Sequence, residues 1–178
     1  RPRAHLDEFL DVEGLYVPSI NQGSVKRGWV KDLDAASHPT KQIIPHVAGK
    51  RELSPVFGET FLVEATRGCG HGCRFCYAGY IGRPYREMTK SRLEEIVEEG
   101  TKQTGVDKVS LVGSGLSDHS HLVNVCHWIV DDAGFKLSLS SLRADVASIE
   151  LLKILAAGGE RTLTIAPETG SQSLRNSI

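Results

Sequence analysis

Thr60-Phe-Leu-Val-Glu-Ala-Thr66 runs directly into Arg-Gly-Cys69-Gly-His-Gly-Cys73-Arg-Phe-Cys76. The first part reads as a β-strand, rich in branched and aromatic residues. The second places three cysteines within eight residues, interleaved with glycines. Glycines at 68, 70 and 72 let the backbone curl tightly enough to aim the sulfurs inward. Three thiolates converging on one point can hold an iron–sulfur cluster or a zinc ion. The chain has four cysteines in all. Two disulfides are a poor reading, because three of the four share one tight loop and no secretory feature is visible.

Downstream of the loop the pattern alternates. Residues 89–100 predict a helix, with Ser91 and Glu94 at capping-box spacing and Leu93, Ile96 and Val97 on one face. Lys108–Val112 predicts a buried strand, followed by the glycine-rich turn Gly113–Asp118. His121–Ala133 predicts a second helix, ended by Gly134. Phe135–Ser140 alternates as a strand, and Ser148 caps a helix over Ile149–Ala157. Thr162–Ile165 predicts a fourth strand, with another helix from Ser173 onward. The expected class is α/β: a parallel sheet of about four βα units with right-handed crossovers. Ligands of such sheets bind at the carboxyl ends of the strands. The cysteines, Gly113–Asp118, Ser140–Asp145 and Ala166–Ser171 all follow strands, so one face gathers every unusual loop.

Upstream, residues 1–56 read as an irregular connector, broken by Pro18, Pro39, Pro45 and Pro55, with residues 57–178 as the core. Ile43–Val47 suits an extended edge piece. The chain has 178 residues, is 40% hydrophobic and carries a formal net charge of −1. That balance gives no direct sign of nucleic-acid binding, and no apolar run is long enough to span a membrane.

The cysteine spacing is three residues, then two. Structural zinc sites usually pair their ligands across a longer insert, and no second pair is present. His71 offers an alternative fourth ligand, which keeps a non-catalytic zinc-binding module open. Cys126 lies on the apolar face of its helix and reads as a small buried hydrophobe. A four-iron cluster on three thiolates would leave one iron open to a ligand.

Cys69-x-x-x-Cys73-x-Phe75-Cys76 resembles the signature of the radical S-adenosylmethionine (radical SAM) enzymes, in which an aromatic residue commonly precedes the third cysteine. The resemblance covers residues 57–178. It implies an incomplete (β/α) barrel of the radical SAM type, a 4Fe-4S cluster on Cys69, Cys73 and Cys76, and S-adenosylmethionine chelated at the open iron. It implies reductive cleavage of that cofactor to a 5′-deoxyadenosyl radical. Gly113-Ser114-Gly115 stands where the family often has Gly-Gly-Glu, with Asp118 the nearest acid. Phe75, Gly113, Ser114, Gly115, Asp118, Arg143 and Glu168 are therefore the expected cofactor-binding residues. Asp118 as a helix cap and Arg143 as a structural partner of Asp145 are the competing readings. Arg83 and Arg86 read as surface residues near the loop mouth. No residue stands out as a catalytic acid, base or nucleophile.

The loops together resemble uncharacterised iron–sulfur oxidoreductases often fused to a cobalamin-binding domain, a domain absent from this chain. The resemblance further implies a reductant such as flavodoxin or ferredoxin, a cytoplasmic location and a substrate the sequence does not name. The family barrel usually has six units, so a four-strand chain ending in a helix is expected to be a truncated core, with a cluster-binding fragment that lacks activity as a further alternative.

Overall fold

A computed structural model describes residues 3–45 and 56–178. These fall into two units, one ending at Lys31 and the other beginning at Asp32. The first holds a 3-10 helix at Arg3–Phe9 and a series of turns. There Gly14, at φ 82°, lies so close to Gly28 that a Cβ would sit 2.7 Å from its nitrogen. Of the expected edge piece, Ile43–Pro45 form no strand, and His46 and Val47 lie outside the described residues, as does Pro55.

The second unit is built on a three-stranded parallel sheet of β1 (Phe61–Glu64), β4 (Lys108–Val112) and β5 (Lys136–Leu139), in the order β1-β4-β5. Phe61 pairs with Val109, and Val109 with Leu137. β4 is central, and Val109, Ser110 and Leu111 are all buried, as expected for a parallel strand covered on both faces. Helices α2 (Lys90–Thr104), α3 (Leu122–His127) and α4 (Ile149–Ala157) supply the cover. α3 continues as a π-helical turn over Trp128–Asp132, so the expected single helix is two segments.

α2 buries Leu93, Ile96, Val97, Gly100 and Thr101, the spacing of one helical face. Its Gly100 meets the Phe61 ring: a Cβ there would lie 1.9 Å from the ring tip. The expected capping box at Ser91 is displaced by one half-turn. Thr89 is the N-cap, accepting from the Arg92 N–H, while Glu94 pairs with Lys90. Asp34 in turn accepts from the Thr89 N–H at 2.8 Å. Ser148 caps α4 as expected, its hydroxyl accepting from Leu151 N–H at 3.1 Å.

β1 is an edge strand, and its open side is occupied by side chains. Gln42 accepts from the Leu62 N–H at 3.0 Å and donates to the Leu62 carbonyl at 2.7 Å. Its amide thus stands in for one residue of a neighbouring strand. His38 also reaches the Leu62 carbonyl, at 3.2 Å, and burial pushes its pKa below the ordinary histidine value.

The fourth strand is reduced to a single parallel bridge between Leu142 and Ile165, with Leu142 N–H donating to the Thr164 carbonyl at 3.1 Å. Thr162, Thr164 and Ile165 are exposed, so no second layer rewards longer pairing there. α5 (Gln172–Arg175) begins one residue before the expected Ser173 and is capped by the Ser171 hydroxyl. Two short strands, β2 (Thr66–Arg67) and β3 (Arg86–Glu87), pair antiparallel and bring the two ends of the cysteine segment together.

Candidate cofactor site at the cysteine loop

The loop is held from several sides. Gly68, at φ 80°, passes against the chain at Gly82, and a Cβ there would sit 2.3 Å from the Gly82 carbonyl oxygen. Only glycine fits such an approach. Cys76 begins α1 (Tyr77–Ile81), its sulfur accepting from the Gly79 N–H at 3.4 Å. The Tyr80 hydroxyl donates to the Gly72 carbonyl at 3.1 Å, and Arg83 Nη2 donates to the His71 carbonyl at 3.0 Å. The Arg83 guanidinium also lies 4.7 Å from the Tyr80 ring centre. Arg86 donates to the Gly82 and Pro84 carbonyls. Arg83 and Arg86 are therefore braces of the loop rather than surface decoration. Below them Glu87 accepts from the Tyr85 hydroxyl at 2.8 Å and the Ser120 N–H at 3.0 Å. Burial works to raise the Glu87 pKa, but these hydrogen bonds outweigh it and hold the carboxyl below its usual value.

The turns after β4 and β5 face the loop. Cys69, His71, Ser114, Gly115, Asp118, Arg143 and Glu168 line a cleft of about 190 Å³. His71, Arg143 and Glu168 also line a wider cavity of about 620 Å³, together with Cys73 and Phe75. Most of the expected site residues thus converge on one mouth. Gly113 does not line it: it lets the end of β4 lie against Thr66, whose Oγ1 would be 2.1 Å from a Cβ. Cys76 stands behind, at the α1 cap.

Asp118, at the end of a 3-10 turn, caps no helix. Its carboxylate receives Arg143 Nη1 at 2.5 Å and lies 2.8 Å from His71 Nε2. Arg143 is held in a fork by Asp145, with Nε donating at 3.1 Å and Nη2 to the other oxygen. That fork holds the Asp145 carboxyl below its usual pKa. Arg143 is thus paired with Asp145 and also lines the cleft. Glu168 adopts φ 65°, a conformation uncommon for a side-chain-bearing residue. Arg175 of α5 stabilises its turn by donating to the Pro167 and Thr169 carbonyls.

The donor set tests which metal group fits. A single zinc would draw thiolates to about 3.8 Å from one another, from Zn–S bonds of about 2.3 Å. Among the described residues, the atoms that do converge, within 4.8 Å, belong to Cys69, His71 and Asp118, not to the three thiols. The Arg143 guanidinium sits against that trio. A fixed cation there opposes a metal ion. Three free, half-buried thiols that do not converge on one point suit a cluster whose irons each take one sulfur better than a single ion.

Residues 63–178 match the Radical SAM superfamily. The chain belongs to that superfamily. Its parallel α/β sheet is consistent with a partial barrel of the radical SAM type, a family whose members use a 4Fe-4S cluster and S-adenosylmethionine. The chain is 38% identical over 173 residues to the uncharacterized protein MJ0966 of Methanocaldococcus jannaschii, covering 97% of this chain and 36% of that protein. It is 27% identical over 89 residues to the ribosomal RNA large subunit methyltransferase Cfr of Shouchella clausii, covering 47% of this chain and 25% of that protein. The chain thus spans about a third and a quarter, respectively, of the curated relatives it matches. No solved structure matches it. Among the described residues, no helix is long and apolar enough to cross a membrane.

Two further histidines and the last cysteine stand outside the site. His119 is buried and fixed between the Met88 carbonyl and the His121 N–H. Cys126 is fully buried, and burial pushes its thiol up to about 12. No local sequence signal marks Arg83 and Arg86 as supports of the loop, or His71 as a partner of Asp118. The contacts of Arg83 and His71 span 12 to 72 residues of chain and carry no local pattern.

Proposed function

We infer that this chain is the core of a radical SAM enzyme, with Cys69, Cys73 and Cys76 holding a 4Fe-4S cluster. The observation that carries the reading is the meeting of this cysteine loop with a carboxylate and a guanidinium, Asp118 and Arg143, in one cleft. A 4Fe-4S cluster held by Cys69, Cys73 and Cys76 would, once reduced, supply the electron for reductive cleavage of S-adenosylmethionine to methionine and a 5′-deoxyadenosyl radical. The chain's own residues bind and orient. Asp118 suits the ammonium of the methionyl group, and Arg143, braced by Asp145, suits its carboxylate. Ser114, Gly115 and Glu168 complete the wall, and Phe75 supplies an apolar ring beside Cys76. A flavodoxin- or ferredoxin-like reductant would deliver the electron, and such systems belong to the cytoplasm.

The methyltransferase relative matches over less than half of this chain, too small a share to carry a ribosomal RNA substrate across. Neither relative's name mentions cobalamin, and we assign it no role here. The test is 5′-deoxyadenosine release from S-adenosylmethionine after anaerobic reconstitution and dithionite reduction. Release by wild type, abolished in Cys73→Ala, supports the reading. A reconstituted, cluster-bearing chain that forms none would refute the cleavage activity.

A further inference from the structure

His71 sits between two of the cluster cysteines, yet its ring is turned to the opposite wall of the cleft. Its Nε2 lies 2.8 and 3.1 Å from the two Asp118 oxygens and also touches Arg143 Nη1. Its backbone carbonyl is fixed from behind by Arg83.

These three contacts are not mutually compatible. A guanidinium only donates and a carboxylate only accepts. One ring nitrogen serves one of them: an Nε2–H donates to Asp118, whereas only an Nε2 without hydrogen accepts from Arg143. The Asp118–Arg143 pair is thus a closed latch, with His71 against its carboxylate as a third member. A ligand bearing both an ammonium and a carboxylate opens it. Its carboxylate takes over Arg143 Nη1, which frees Nε2–H to donate to Asp118 alone. Asp118 then keeps one oxygen on His71 and presents the other to the ammonium.

We propose that His71 is a positioning residue for α-amino-acid recognition: it holds Asp118 in place when the methionyl group of S-adenosylmethionine opens the Asp118–Arg143 pair. The inference rests on the assignment above of Asp118 and Arg143 to that group. It gives His71 a role through Asp118, not through metal ligation.

The test uses the full chain, reconstituted anaerobically, in wild-type, His71→Ala, His71→Gln and Asp118→Asn forms, with the His71→Ala/Asp118→Asn double variant. Iron and sulfide are assayed first, then S-adenosylmethionine affinity by equilibrium dialysis, and the change in the reduced cluster's electron paramagnetic resonance spectrum on adding it. His71→Ala should keep wild-type iron and bind about tenfold more weakly, the cost of a hydrogen bond to a charged group. His71→Gln, which retains a donor, should recover most of that loss. The double variant should bind no more weakly than Asp118→Asn, because His71 acts through Asp118. Unchanged affinity in His71→Ala, additive losses in the double variant, no recovery by Gln, or loss of iron would each overturn the proposal. If instead Asp118→Asn binds like wild type, or wild type binds nothing, the underlying cofactor reading is what has failed.

Discussion

Replacing Gly100 by Ala in the middle of α2 should destabilise the chain, against the usual trend. In an exposed helix interior, alanine is favoured over glycine by about 0.8–1.0 kcal/mol. Here the new methyl would sit 1.9, 2.3 and 2.4 Å from three atoms of the Phe61 ring. Phe61 is fully buried at the start of β1, so it has nowhere to swing. Either α2 lifts away from the sheet or the ring leaves its rotamer. Overpacking of this kind costs about 1–3 kcal/mol, and three contacts this short point to the upper end. Subtracting the helix gain leaves a net loss of about 1–2 kcal/mol. Urea unfolding followed by circular dichroism would measure it. Phe61→Leu removes the ring edge, so Gly100→Ala in that background should be neutral or stabilising. A stabilising Gly100→Ala in the wild-type background would refute the account of how α2 lies on β1.

Gln42→Ala should remove two hydrogen bonds to Leu62, costing about 1–2 kcal/mol, and should uncover the edge of β1, raising self-association seen by light scattering. Because the Glu87 pKa is depressed in the folded chain, its contribution is present above the unfolded glutamate value and lost as pH falls through the folded one. Acid unfolding of Glu87→Gln should therefore show a flatter pH dependence than wild type below the ordinary glutamate range; an identical profile would contradict this. Cys126→Ala should leave iron content unchanged after reconstitution, since its buried thiol stays protonated and far from the loop's role.

The βα alternation was readable because each element carries its own period. α2 repeats its buried residues at helical spacing, and β4 is a short strand rich in valine and leucine, buried through its middle. Ser148 was readable as a cap because capping is local. Where two hydroxyl residues stood two apart, at Thr89 and Ser91, the nearer acid misled, since Asp34, 55 residues away, fixes Thr89. β2 and β3 are two residues each, too short for any period, and α1 begins at a cysteine, an unusual cap. Thr162–Ile165 has strand composition but lies exposed, so it forms one bridge instead of a ladder. The site was legible as a set of loops on one face. Its charge arrangement was not, because Arg143 divides itself between Asp145, two residues away, and Asp118, 25 residues away.

The most direct measurement is metal content after anaerobic reconstitution with iron and sulfide. The account predicts about four irons and four sulfides per chain. It also predicts a brown absorbance bleached by dithionite, lost when Cys69, Cys73 or Cys76 is replaced by alanine and kept in Cys126→Ala. A colourless chain that holds one zinc, or a cluster that survives loss of Cys73, would contradict it.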